Sequence, residues 1–134
     1  MAIEWNAERM ATGLPEVDSQ HQEWIRRFNK FDNAVVNRQG HNAIRSTLEF
    51  LTQYSETHFA TEEASMARIN SPALAPNHAA HDEFRRKIAE LMAEVSREGV
   101  SMVEVMALEL TLEEWLVNHI CTIDVQLRGT DTRG

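Results

Sequence analysis

Residues 54–66 read YSETHFATEEASM. Within this stretch His58 and Glu62 stand four apart, and they continue an apolar stripe formed by Ile44, Leu48, Leu51 and Tyr54. On a helix, side chains at i and i+4 share a face. An imidazole and a carboxylate therefore point where a core is expected. A buried carboxylate is costly unless it is paired or bound to a metal. The conflict between apolar pattern and polar chemistry is the main clue to both fold and function.

Working outward, the same periodicity runs from about Asn42 to Ile69, and Ser71, Pro72 and Pro76 mark the loop beyond it. Upstream, His21, Trp24, Ile25, Phe28, Phe31 and Val35 recur at helical spacing. That helix is expected to start at Asp18 or Ser19, both good N-caps, and to close at Asn37–Gly40. Downstream, a third helix starts close to Pro76, carries His81, Phe84, Ile88, Leu91 and Val95, and ends at Gly99. A fourth opens with the capping-box pattern Ser101-Met102-Val103-Glu104. Its stripe is Val105, Leu108, Leu112, Trp115, Leu116, His119 and Ile123, and Gly129 ends it.

Four amphipathic helices with short connections imply an all-α, antiparallel up-down-up-down four-helix bundle. Gly13 and Pro15 break any helix before it, so residues 1–17 read as an irregular arm packed on the bundle through Trp5. The bundle itself is expected over 18–128, with a frayed end at 129–134.

Composition narrows the function. The chain has 134 residues, 43% of them apolar, which suits one domain with one core. A formal charge of -8 argues against nucleic acid and anionic membrane as partners. No apolar run reaches membrane-spanning length, and MAIEWNAERM lacks the zones of a signal peptide, so a cytoplasmic location is expected. The single cysteine, Cys121, excludes an intramolecular disulfide and cysteine-rich metal sites. Any metal must be held by His, Glu and Asp.

Each helix offers such ligands on its inward stripe: His21; His58 with Glu62; His81, with Asn77 and His78 nearby; and His119 with Asp124. Side chains converging from facing helices build the metal sites of bundle cores. A mixed imidazole and carboxylate set suits iron, manganese or zinc better than calcium. One such histidine alone is more often a hydrogen-bonded core residue, but four helices all doing so is hard to ascribe to chance. His119 and Asp124 lie five apart, about 140° around an ideal helix, so they converge only on a metal lying between their directions or through a local π-bulge. His41 reads as a solvated loop residue. Met66, Met92, Met102 and Met106 read as packing, and Arg85-Arg86-Lys87 as an exposed face.

On TGLPEVDSQHQ around His21, HFATEE from His58, HDEF from His81 and WLVNHICTID ending at Asp124, the chain resembles the hemerythrin family, most closely the single-domain bacteriohemerythrins. The resemblance runs from about Trp5 to Leu127. It implies a non-haem di-iron centre that binds dioxygen reversibly. By that resemblance His21 and His58 hold one iron, His81 and His119 hold the second, and Glu62 and Asp124 bridge them. An oxo or hydroxo group is the third bridge. The iron with two histidines keeps an open position for dioxygen. Trp115, Leu116 and Ile120 match positions that wall the oxygen pocket. Dioxygen is the implied ligand, with an electron donor or oxygen-consuming enzyme as further partners.

The sequence departs from the family at one place. The family's third helix carries HxxxH, and the first histidine of that pair falls here at Asn77, followed by His78. Either His78 takes over as a ligand, or water or the Asn77 carbonyl oxygen completes the second iron. An incomplete second iron favours oxidase or peroxidase activity. Iron storage or sensing is a third alternative.

Overall fold

The computed structural model describes residues 3–122 apart from residue 98. It contains a short helix α1 (Ala7–Met10) and four long ones: α2 (Pro15–Val36), α3 (His41–Arg68), α4 (Leu74–Ser96) and α5 (Met102–Thr122). The long helices pack in adjacent pairs, α2 on α3, α3 on α4, α4 on α5, and α5 back on α2. This is the four-helix bundle expected from the periodicity. The stripe residues Trp24, Phe28, Phe31, Leu48, Leu51, Phe84, Leu91, Leu112 and Leu116 are all fully or almost fully buried.

The arm is more ordered than the irregular segment expected. Asn6 caps α1, its side chain accepting from Arg9 N at 3.2 Å. Ile3 is buried, and its N–H and C=O both bond to the Asn29 side chain, at 2.8 and 2.9 Å. These contacts fasten the arm along α2.

The start of α2 also differs from expectation. Pro15 occupies its first turn, where a missing N–H costs nothing. Asp18 is not an N-cap but lies one turn inside. Its carboxylate accepts from Thr12 N (2.7 Å), Thr12 Oγ1 (2.8 Å) and Gly13 N (3.3 Å), so it ties down the preceding loop instead. Gly13, at φ +88°, supplies the left-handed turn that this loop requires.

At the far end of α3, Asn70 adopts a left-handed conformation (φ 52°), and Ser71 N bonds back to Met66 O at 2.9 Å. This closure stops α3 at Arg68, two residues beyond Met66, and turns the chain into α4. α4 begins at Leu74, two residues before Pro76, which leaves Asn77 inside the first turn. The Ser101 cap forms as expected, with Glu104 N donating to Ser101 Oγ at 3.3 Å. The end of the fourth predicted helix at Gly129 lies outside the described residues. No described helix is long and apolar enough to cross a membrane.

Candidate metal centre

One end of the bundle interior is polar. His21, His58, Glu62, Asn77 and His81 are completely buried, and His119 is 4% exposed. α2 supplies His21, α3 supplies His58 and Glu62 one turn apart, α4 supplies Asn77 and His81 one turn apart, and α5 supplies His119.

Glu62 is the hub. Its Oε2 lies 3.0 Å from His21 Nε2 and 3.4 Å from His58 Nε2. Its Oε1 lies 3.0 Å from His81 Nε2 and 3.7 Å from His119 Nε2. The side chains therefore form two triads, His21–His58–Glu62 and Glu62–His81–His119, with ligand atoms within 4.8 Å of one another in each. One oxygen of a single carboxylate faces each triad, as a carboxylate bridging two cations does. Burial would raise the Glu62 pKa, but the imidazoles of His119, His21, His58 and His81 outweigh it and hold the carboxyl well below the usual range.

The outer nitrogens of two histidines are fixed as metal ligands require. His58 Nδ1 lies 3.0 Å from Gln20 Oε1, and a proton on that nitrogen directs Nε2 to the centre. His81 Nδ1 lies 2.7 Å from Glu63 Oε2 while its Nε2 faces Glu62. A carboxylate only accepts, so a proton on Nδ1 is held by Glu63 and leaves Nε2 as the nitrogen that would face a cation. Four imidazoles, a shared carboxylate and these outer partners fit a pair of divalent metal ions.

Aromatic and aliphatic groups enclose the ligands. Phe59 stacks on His81 at 3.9 Å between centroids, and Trp115 on His119 at 4.5 Å. Trp24 lies 4.8 Å from the His58 ring and donates through Nε1 to Ser55 Oγ at 2.8 Å. Leu116 and Ile120 are fully buried in the same core cluster. Trp115 is only partly buried, and its Nε1 donates to Glu83 at 3.2 Å.

Five of the histidine and glutamate ligands named from sequence are brought together. Asp124 lies outside the described residues. His78 is not brought in: its side chain is 59% exposed, and its ring nitrogens face Glu63 (3.0 Å) and Asp82 (3.6 Å). One position along from Asn77, it is rotated about 100° away from the interior. Asn77 takes the inward place and donates through Nδ2 to Glu62 Oε1 at 2.8 Å and Met66 Sδ at 3.2 Å. Sequence reasoning missed Gln20 and Glu63. Their only signal is a polar residue directly beside His21 or Glu62, which a solvated helix face would show equally.

Comparison with known proteins agrees with this geometry. Residues 12–127 match the hemerythrin HHE cation binding domain. The chain is 32% identical over 113 residues to a myohemerythrin of Riftia pachyptila, covering 84% of this chain and 81% of that one. It is 28% identical over 128 residues to a bacteriohemerythrin of Methylococcus capsulatus, covering 90% and 89%. A crystal structure of wild-type hemerythrin superimposes with a TM-score of 0.81 at 26% identity, covering 93% of this chain and 94% of that one. Matched over most of its length in sequence and in fold, with two buried triads on a shared glutamate, the chain belongs to the hemerythrin HHE family.

Proposed function

We propose that this protein binds dioxygen reversibly at a pair of non-haem iron ions, without catalytic turnover, and serves in oxygen storage, delivery or sensing. The observation that carries the reading is the pair of buried triads on opposite oxygens of Glu62. When bound, two ferrous ions supply the electrons that make dioxygen binding possible. The chain's own residues do the rest. His21 and His58 would hold one ion, His81 and His119 the other, with Glu62 shared between them. Asp124 is assigned as the second linking carboxylate, two residues beyond Thr122. Gln20 and Glu63 orient two of the imidazoles. Trp115, Leu116 and Ile120 wall the centre with carbon and keep water from it, which slows irreversible oxidation.

Iron-loaded protein, reduced without oxygen and then exposed to air, is expected to develop a visible charge-transfer band that disappears on degassing. Two irons per chain with no such band would refute reversible binding. A second reading, oxidase or peroxidase activity, is favoured by Asn77, which gives the second ion one imidazole fewer than the family pattern. Repeated turnover of peroxide with a reductant, faster than free iron, would support that reading.

A further inference from the structure

We propose that Asn77 is itself a ligand of the second metal ion, through its amide oxygen, and that the ion on the His81–His119 side is therefore the more weakly held of the two. This inference rests on the two-ion reading of the centre and extends it to a residue that the family pattern does not supply.

Three observations converge on Asn77. It is completely buried and stands four residues before His81, on the same face of α4. Its terminal amide lies 2.8 Å from Glu62 Oε1, the same oxygen that faces His81 at 3.0 Å and His119 at 3.7 Å. Donor atoms of Glu62, His81 and His119, from three helices, lie within 4.8 Å of one another, and the Asn77 amide touches the Glu62 oxygen of that set. Finally, Asn77 Oδ1 is buried with no hydrogen-bond partner. Buried polar atoms of this kind are rare and call for an explanation.

The explanation is a half-turn of the amide. Glu62 Oε1 is an acceptor, so Asn77 presents its NH2 to it, and the amide oxygen is left without a partner. A cation held by Glu62, His81 and His119 would occupy the carboxylate's electron pair and remove that acceptor. Rotation about the Cβ–Cγ bond then exchanges nitrogen for oxygen and presents a hard donor to the cation. The same movement gives the oxygen a partner in exchange for the NH2 contacts to Glu62 and Met66. His78 cannot compete, because its ring is held outside by Glu63 and Asp82. An amide oxygen is a weaker ligand for iron than an imidazole, hence the asymmetry between the ions.

The test is anaerobic titration with Fe2+ followed by chelator competition, on the full chain and on Asn77→Ala, Asn77→Asp and Asn77→His. The metal-free fold of each variant is checked by circular dichroism. The full chain is expected to hold two ions, one released at lower chelator concentration. Asn77→Ala should weaken that ion by about 10–100-fold and leave the other unchanged, as loss of a supporting group at a metal site does. Asn77→Asp, which keeps an oxygen donor, should retain it, and Asn77→His should tighten it. An Ala variant that holds the second ion as tightly as the parent would overturn the inference, assign the position to water, and leave the two-ion reading intact. Fewer than two ions in the parent and in Asn77→His alike would overturn both.

Discussion

Replacing Glu62 by glutamine changes one oxygen to NH2 at nearly constant volume, and it probes the hub directly. The carboxylate faces His21, His81 and Asn77 at 3.0, 3.0 and 2.8 Å. Hydrogen bonds to a charged group contribute about 1.5–3 kcal/mol each, and neutral ones about 0.5–1.5. Glutamine keeps an acceptor for one side of the cluster only, and sets its NH2 against the donors on the other. The net loss is about 3–5 kcal/mol, the range found when a buried ion pair loses one partner. With a urea m-value of roughly 1–2 kcal/mol/M, the unfolding midpoint should fall by about 1.5–5 M. The second readout is metal. Each triad loses its anionic member, so iron content should fall from two per chain to below one. A Glu62→Gln protein that unfolds at the parental urea concentration would show that the carboxylate is not the electrostatic centre of the cluster. One that still binds two ions at parental affinity would show that it is not shared between them.

Glu63→Gln should weaken iron on the His81 side by about 10–100-fold, read by chelator competition, because His81 Nδ1 loses its carboxylate partner at 2.7 Å. His78→Ala should leave iron content at the parental value, since that ring lies outside the centre. Leu116→Ala, at a fully buried site, should cost about 2–5 kcal/mol of stability by urea melt. A separate pH effect is expected far from the metal ligands. Glu109, 6% exposed, has its pKa pushed up to about 9, first by burial and then by its bond to Asp32. A carboxyl whose folded pKa is raised stabilises the fold fully below about 4.5 and loses that contribution as pH rises toward 9. Glu109→Gln should flatten this decline and stabilise the protein at pH 7 by up to about 3 kcal/mol, measured by urea melts from pH 5 to 9.

Much of this architecture is legible in the chain because period and chemistry agree. Trp24, Phe28, Leu48, Leu51, Phe84, Leu91 and Leu112 all fall on the buried stripe that their spacing marks. His21, His58, Glu62, His81 and His119 stand out because they interrupt that stripe with groups that a core rejects. What was not legible depends on direction finer than periodicity. Glu63 is one residue from the hub, yet it works from outside, on the far nitrogen of a histidine from another helix. Asp18 has the composition of a cap, but Pro15 starts the helix one turn earlier, and the aspartate is used on the Thr12 loop. Nothing local in the sequence marks Asp32 and Glu109, two acids from α2 and α5 that meet across helices. His78 and Asn77 divide chemistry from geometry. The histidine has the better chemistry and the asparagine the better angle, and the inward place went to the angle.

The division of labour between the two oxygens of Glu62 also fixes a length. Helices in a bundle slide and tilt with temperature, and ligands carried on four separate helices would drift with them. The separation of the two halves of this centre is instead spanned by the three atoms of one carboxylate, whose bond angle scarcely yields at thermal energies. Any two cations held there would be gauged by a covalent ruler while the surrounding helices breathe.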